Sequence, residues 1–229
     1  MDAPQPRLSI IIPALNEAQG IGATLRALEP LRRRGHEVIV VDGGSVDATA
    51  SIARPLADEV VECAAGRARQ QNLGAAAARG GVLLFLHADT RLPEDADALV
   101  LGGLEASGRG WGRFDVRLTG RHPMLRLVER MIGVRSRLSG IATGDQAMFV
   151  RRDWFQRAGG FPQIPLMEDV ALSKALLRLG RPLCIRRPVT TSSRRWEQRG
   201  VWRTMVLMWR LRWAFWRGAD PADLAARYR

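Results

Sequence analysis

The stretch Val82-Leu83-Leu84-Phe85-Leu86-His87-Ala88-Asp89-Thr90 decides how this chain reads. Five apolar residues run together between Gly80-Gly81 and a polar tip that carries one carboxylate. A short continuous apolar run bounded by turn residues predicts a strand buried on both faces, as in a parallel sheet. Ligands of open α/β sheets bind beyond the carboxyl ends of the strands, where Asp89 falls. A hard anionic ligand there suits Mg²⁺ or Mn²⁺ carrying a substrate diphosphate. Taken alone, Asp89 is explained as well by an Asx-turn or a cap on a helix begun near Glu94. The rest of the chain tips the balance toward chemistry.

Working outward, residues 8–13 read as a first buried strand, followed by the polar turn Ala14-Leu15-Asn16-Glu17. Ile21, Leu25 and Leu28 share one face of a helix over residues 21–31, which Gly35 stops. Residues 37–42 form a second strand with Val38-Ile39-Val40-Val41 as its core, ending in Asp42-Gly43-Gly44-Ser45, where glycines permit a tight turn. Asp47 is the expected N-cap of a helix through Ala57. Residues 59–63 make a third strand, and Gly66-Arg67-Ala68-Arg69-Gln70-Gln71-Asn72-Leu73-Gly74 opens an alanine-rich helix ending near Gly80. This alternation predicts an α/β domain whose central sheet is mostly parallel, flanked by helices and connected by right-handed crossovers. Beyond Gly110 the pattern loosens. It predicts strands at 111–118, 147–150 and 183–185, a basic amphipathic helix at 122–138, and a helix at 170–179 opened by Glu168-Asp169.

The 229 residues suit one domain with a sizeable core, and a hydrophobic content of 46% excludes disorder. The expected division is a first part at 1–118, a second at 119–198 and a C-terminal amphipathic helical segment at 199–229. The formal charge of +12, carried almost wholly by arginine, predicts anionic company. Basic residues are scattered and no nucleic-acid motif appears, so nucleic acid is not the expected partner. Cys63 and Cys184 form no Cys-x-x-Cys pair and read as buried thiols. The residues at 1–7 lack the pattern of a signal peptide, and no window is long enough for a membrane span. A cytoplasmic protein is expected, with attachment to the inner membrane surface left open.

Three carboxylate sites stand out: Asp42 after the second strand, Asp89 after the fourth, and Glu168-Asp169. With Ser9-Ile10-Ile11-Ile12-Pro13-Ala14-Leu15-Asn16-Glu17, Val40-Val41-Asp42-Gly43-Gly44-Ser45-Val46-Asp47-Ala48-Thr49 and Phe85-Leu86-His87-Ala88-Asp89-Thr90, they resemble in order and spacing the family 2 glycosyltransferases. That family has the GT-A nucleotide-diphospho-sugar transferase fold. Gly66-Arg67-Ala68-Arg69-Gln70-Gln71-Asn72 and Gly144-Asp145-Gln146-Ala147 look like a bacterial subgroup associated with radical-SAM proteins and named for arsenosugar biosynthesis.

The resemblance implies an inverting, metal-dependent transfer from a nucleotide sugar, a UDP-sugar, to an unidentified small-molecule or lipid-linked hydroxyl acceptor. It also implies that the part at 1–118 binds the nucleotide sugar and that the part at 119–198 carries the acceptor and catalytic groups. Glu17 and Asp42 would hold base and ribose. Pro13, Asn16, Gly43, Arg69, His87 and Ala88 would line the nucleotide, and Asp89 would face Mg²⁺ or Mn²⁺. Asp169 would be the general base, with Glu168 beside it. Asp145, Gln146, Arg194, Arg195 and Trp196 would touch acceptor or diphosphate. His87 stands where relatives have a first Asp, Gly43 where many have a second Asp, and Gln71 where many carry Arg. Only Arg195-Trp196 remains of the Gln-x-x-Arg-Trp of processive synthases, which favours a single transfer.

On a helix over 201–217, Trp202, Trp209, Trp213 and Trp216 share one narrow face. Arg203, Arg210 and Arg217 flank it on one side and Arg212 lies on the other. Indoles favour the headgroup level of membranes and arginines reach phosphates, so an anionic membrane surface is one expected partner. A buried helix or a face joining a second copy of the chain is the other. A nucleotidyltransferase is disfavoured because a basic glycine-rich loop should follow the first strand, where Pro13-Ala14-Leu15-Asn16-Glu17 is acidic. A catalytically degenerate nucleotide- or membrane-binding protein is the remaining alternative.

Overall fold

In the computed structural model the described residues are 7–228, with Arg195 described by its backbone alone. Residues 1–6, part of the stretch read as lacking a signal peptide, lie outside them. The strands are β1 (Leu8–Ala14), β2 (Glu37–Asp42), β3 (Glu59–Glu62), β4 (Val82–Phe85), β5 (Thr90–Arg91), β6 (Trp111–Leu118), β7 (Phe149–Arg151) and β8 (Leu183–Thr191). The helices are α1 (Ile21–Arg33), α2 (Thr49–Ala53), α3 (Arg67–Ala77), α4 (Ala96–Ser107), α5 (Pro123–Ser139), α6 (Arg152–Arg157), α7 (Glu168–Leu177), α8 (Arg194–Arg199), α9 (Val201–Trp216) and α10 (Pro221–Tyr228).

All strands join one sheet in the order β3-β2-β1-β4-β7-β6-β8-β5. The apolar runs of β1, β2 and β4 are buried along their length because helices cover both faces. Alternate residues feed two cores: Ile10 and Ile12 pack with Leu25 of α1, while Ile11 packs with Ala75 of α3 and Phe85. Small residues let α3 lie close to the sheet. A Cβ on Gly74 would stand 2.4 Å from Ile11 Cγ2, so Gly74→Ala overpacks this contact at a cost of about 1–3 kcal/mol.

The sheet is mostly parallel, as expected, with antiparallel pairings confined to its second half. It is parallel from β3 to β4, then antiparallel at β4–β7 and β7–β6, parallel at β6–β8 and antiparallel at β8–β5. Strand β8 runs nine residues, not the three its apolar core suggests, because pairing with β6 carries it through Arg186, Arg187 and Pro188 past a bulge at Phe114/Asp115. Helix α2 is shorter than expected. Its N-cap is Ala48, and Asp47 instead accepts from the Thr49 amide at 3.0 Å one residue outside the cap position. Elements α6, α8 and β5 carry no distinct signal in the sequence, whereas α10 falls within the helical segment expected at 199–229.

From β1 the chain winds outward to β3 and returns to place β4 on the other side of β1. Strand order therefore reverses between β1 and β4, and their carboxyl ends open the crevice where such sheets bind ligands. Among the described residues, no helix is long and apolar enough to cross a membrane.

Candidate active site

The loops after β1 and β2 are laced to each other. Asp42, 3% exposed, accepts from Ser45 Oγ at 2.5 Å and from the amides of Gly44 and Ser45 at 3.1 and 2.9 Å. Asn16 donates its amide to Ser45 Oγ at 2.9 Å, and its Oδ1 accepts from the Val46 amide at 2.9 Å. The Glu17 amide donates to Thr49 Oγ1 at 2.8 Å. Beneath them lies Gln70, a residue with no role in the sequence reading. Its buried Nε2 donates to the carbonyls of Ala14 and Val41 at 2.8 and 2.9 Å, tying β1 to β2. Gly43 rests on this amide, where a Cβ would stand 3.0 Å from Nε2. Pro13 is half-buried in the same wall. Arg69 is exposed and faces Cys63: burial pushes the Cys63 thiol up, and Arg69 draws it the other way.

At the end of β4, the chain turns through His87-Ala88-Asp89-Thr90. Thr24 Oγ1 donates to the Ala88 carbonyl at 2.6 Å, and Thr90 Oγ1 to Thr191 Oγ1 at 2.9 Å, so α1 and β8 clamp the turn. Asp89 is exposed, and among the described residues its side chain hydrogen-bonds with Thr90 Oγ1 alone, at 3.4 Å. His87 Nε2 is buried without a hydrogen-bond partner among the described residues. Burial, then the nearby Arg67 cation, push the imidazole below its ordinary pKa, against the pull of Asp145, Asp89 and Asp169, so the ring is neutral at pH 7.

Three residues join this turn to the acidic pair. A Cβ on Gly144 would stand 2.6 Å from His87 Nε2, so only glycine packs there without moving the ring. The Gly144 amide donates to Asp169 Oδ2 at 2.7 Å. Thr143 and Gln146 cap the short 3-10 turn Gly144–Gln146 reciprocally. Gln146, expected at the acceptor, is fully buried instead. Its Oε1 accepts from the Thr143 amide at 3.1 Å and its Nε2 donates to the Phe114 carbonyl at 3.4 Å, so it anchors the turn to β6. Asp145 Oδ1 is buried with no hydrogen-bond partner among the described residues.

Glu168 and Asp169 form the first turn of α7, where the helix dipole favours negative charge. Glu168 is 3% exposed, and its carboxyl is pushed up to about 7 by burial and then by Asp169. Arg67 opposes that shift from 3.6 Å, an ion pair too long to be a hydrogen bond. Asp169 is more open, with Oδ1 accepting from the Val170 amide at 2.7 Å. Three non-glycine residues hold positive φ, and each adjoins this site: Asn16 at 55°, Ala147 at 44° and Met167 at 69°. Such geometry costs on the order of 1–3 kcal/mol each and clusters at functional sites.

Trp196 is half-buried and shares a cavity wall with Asp145. Arg194 is exposed on the first turn of α8, and the side chain of Arg195 lies outside the described residues. Arg67 and Arg135 enter the site unforeseen: Arg67 meets Glu168, and Arg135 senses both Asp145 and Asp169. Among the described residues, no group of three or more His, Cys, Asp or Glu could hold a metal ion. What is present is one open carboxylate, Asp89, near a neutral imidazole. That donor set fits an ion that arrives with a diphosphate supplying the remaining oxygens.

A parallel half ending in Asp42 and Asp89, joined to a mixed half that returns a Glu-Asp pair to the same edge, defines the class: this is the GT-A fold of nucleotide-sugar transferases. The chain belongs to glycosyl transferase family 2, whose sequence model matches residues 9–157. It is similar to S. aureus TarS 1-349 with a TM-score of 0.65 at 18% identity, covering 82% of this chain and 60% of that one. TarS has been crystallised with UDP and with UDP-GlcNAc. The chain is also similar to the mannosyltransferase PcManGT from Pyrobaculum calidifontis in complex with GDP-Man and Mn²⁺, with a TM-score of 0.64, 25% identity, and 82% and 56% of the two chains covered. A third likeness is to glucosyl-3-phosphoglycerate synthase from Mycobacterium tuberculosis in complex with Mn²⁺, UDP and glucosyl-3-phosphoglycerate. There the TM-score is 0.58 at 21% identity, over 82% and 71% of the chains. The chain thus spans 60% of the TarS fragment. No curated protein sequence matches it.

Proposed function

We propose that this chain transfers a sugar from a nucleoside-diphosphate donor, a UDP-sugar, to a hydroxyl acceptor, in a single transfer with inversion at the anomeric carbon. The observation that carries the reading is the 2.7 Å bond from the Gly144 amide to Asp169, made while Gly144 packs on His87. It brings the acidic pair of α7 to the turn that carries Asp89. Family membership supports the reaction class. The resemblance at 66–72 and 144–147 supports the radical-SAM-associated subgroup.

The wall of Pro13, Asn16, Glu17, Asp42 and Gly43 takes the base and ribose. Its hydrogen bonds, from Asn16 and Asp42 to the Ser45 loop, hold the wall in one shape, which limits the ordering that binding would cost. Asp89, with His87 and Ala88 on the same turn, would hold Mg²⁺ or Mn²⁺ together with diphosphate oxygens and water, and such an ion neutralises the charge gathering on the leaving group. Arg67 and Arg69 add positive charge from the first turn of α3. Asp169 takes the acceptor's proton as its oxygen attacks the anomeric carbon. Glu168 is too buried to reach an acceptor. It acts through its neighbour: burial and the Asp169 charge favour the protonated form of Glu168, which leaves the more open Asp169 to face the acceptor.

Calorimetry of UDP with and without Mn²⁺, on the wild type and on Asp89→Ala, tests this reading. Metal-dependent binding that the variant loses is expected. Equal binding in both proteins, with or without Mn²⁺, removes the role given to Asp89. Failure to bind UDP, GDP or any other nucleotide overturns the reading.

The tryptophan face of α9 supports attachment to an anionic membrane surface. Trp202, Trp209, Trp213 and Trp216 are 60%, 51%, 62% and 71% exposed, while Val201, Thr204, Met205 and Leu211 face the protein. The Arg217 guanidinium lies 5.2 Å from the Trp213 ring centre, a cation at the rim of an indole patch. Flotation with vesicles containing phosphatidylglycerol should carry the wild type up and leave a Trp213→Ser/Trp216→Ser variant behind. Absence of wild-type flotation refutes the attachment.

A further inference from the structure

Between α5 and α9 lies a cavity of ≈ 280 Å³ that the donor chemistry does not use. Met131, Ile132, Trp196, Met205, Met208 and Trp209 make its walls. Its size is close to the lower end of small-molecule pockets, about 300 Å³. It meets solvent beside Trp209, which is 51% exposed.

The polar groups in this apolar cleft are unusual. Arg135 and Arg212 both line it, and so does Asp145. Arg135 leaves its buried Nε without a partner, and its one side-chain bond is a long one, 3.4 Å to Thr143 Oγ1. Burial, then the neighbouring Arg212, push its guanidinium down to about 10, against the pull of Asp145 and Asp169. Arg212 makes no hydrogen bond or ion pair among the described residues. Cations in apolar surroundings are ordinarily paired, because desolvation without a partner costs several kcal/mol. Asp145 is the one carboxylate lining the cavity among the described residues, so one positive charge has no counterpart there. The charged end also adjoins the chemistry: Asp145 follows Gly144, whose amide holds Asp169 at 2.7 Å.

We infer that this cavity is the acceptor site, and that the acceptor is an amphiphile with an apolar chain, a phosphate group and a free hydroxyl. This rests on the transferase reading above. The chain lies between α5 and α9. The phosphate takes paired, charge-assisted hydrogen bonds from Arg135 and Arg212, a geometry that guanidinium groups suit better than ammonium groups. The hydroxyl is then directed past Asp145 to Asp169. In the transfer its oxygen bonds to the anomeric carbon and its proton passes to Asp169. The carbon–oxygen bond to the diphosphate breaks, and that electron pair leaves with the nucleoside diphosphate.

The test is titration of the full chain with dodecyl phosphate below its micellar concentration, read by calorimetry and by tryptophan fluorescence, since Trp196 and Trp209 line the cavity. Dodecanol and inorganic phosphate are the comparison probes, and UDP is titrated in parallel. Saturable one-site binding of dodecyl phosphate is expected. Dodecanol should bind at least about tenfold more weakly, and Arg212→Gln should lose about tenfold for dodecyl phosphate, the size of a charged hydrogen bond. Met208→Trp, which fills the cleft, should abolish binding, with circular dichroism confirming that both variants are folded.

Equal affinity for dodecanol and dodecyl phosphate overturns the assignment, as does inorganic phosphate binding as tightly as dodecyl phosphate. Loss of binding in Trp213→Ser/Trp216→Ser with Arg212→Gln unaffected places the ligand on the outer helix face and overturns it as well. Normal UDP binding without dodecyl phosphate binding overturns this inference alone, whereas absence of nucleotide binding overturns the transferase reading beneath it.

Discussion

The two edges of the parallel half treat the same residue types in opposite ways. At the amino edge, Glu37 accepts from Ser9 Oγ, from the amides of Arg79 and Gly80 at 2.5 and 3.0 Å, and from Arg79 Nε at 3.0 Å. Burial alone would raise its pKa, but these donors outweigh burial and lower it. Asp58 receives Arg32 and the Val38 amide and is likewise lowered. Asp97 takes both arms of Arg34 at 2.7 and 3.0 Å and lies 3.0 Å from His36 Nε2. Burial would raise its carboxyl too, but Arg34 and then His36 hold it at about 2.

At the carboxyl edge, Asp42 and Asp47 are also satisfied, and they shape loops. Beside them sit Glu168 raised to about 7, Asp145 with an unpartnered oxygen and His87 with an unpartnered nitrogen. At the amino edge the three carboxylates are settled by hydrogen bonds, and His36 Nδ1 is a buried nitrogen without a partner among the described residues. The carboxyl edge keeps groups whose partners must come from outside, which is how functional sites differ from structural ion pairs.

The largest effect that could break this contrast is on activity. Asp169→Asn keeps an oxygen for the Gly144 amide but loses the base, so kcat should fall by about 10²–10⁴ with the fold intact. A variant within tenfold of wild type in a transfer assay would end the assignment.

Glu168→Gln comes next. Its folded pKa of about 7 lies above the ordinary value of 4.5, so its protonated form is favoured by the fold. The associated stability is complete below pH 4.5 and is lost as pH rises through 7. The glutamine variant should therefore be more stable than wild type above pH 7, by on the order of 3 kcal/mol, and equal to it below pH 4.5. Urea unfolding across that range measures it, and a pH-independent difference contradicts the raised pKa.

Asp97→Asn tests the opposite edge with the opposite sign. A folded pKa of about 2 against an ordinary 3.8 gives stability that is present above pH 4 and lost as pH falls toward 2. The variant should be about 2 kcal/mol less stable at neutral pH, and the gap should close in acid.

Gly144→Ala should have the smallest effect on stability, about 1–2 kcal/mol, because the imbalance is one methyl against the His87 ring. Its transfer activity should fall more than its melting temperature suggests. Unchanged activity would uncouple the 3-10 turn from the chemistry.

The amino-terminal half was legible because each buried strand is an uninterrupted apolar run and the candidate site residues stand directly after it. Strands β1, β2 and β4, with Asp42 and Asp89, could be read this way. The mixed half was harder. Strand β8 is held by pairing with β6 through Arg186 and Arg187, so its own residues do not announce it. Gln70 and Arg67 act across 29 residues or more of sequence, and Arg135 reaches Asp169 across a comparable gap, through contacts that no local pattern encodes. Gln146 was misplaced because a motif position says nothing about which way an amide turns. Period 3.6 found the tryptophan stripe of α9 and set Arg212 apart from its other arginines. Only packing showed that the stripe is outward and that Arg212 faces a cavity.

The short turn at Gly144–Gln146 has a consequence for how this protein can change. The Gln70 clasp and the Asp42 turn are built from β1, β2 and α3, whereas the cavity is built from α5, α8 and α9 together with Asp145 of that turn. Of the contacts described here, the two sets of walls meet through Gly144, held between His87 and Asp169. Residues on the α5 and α9 walls can therefore be exchanged without disturbing a hydrogen bond of the donor wall. Under the proposed function, such an arrangement would let one donor chemistry be passed among different acceptors, with Gly144 as the pivot between the two walls.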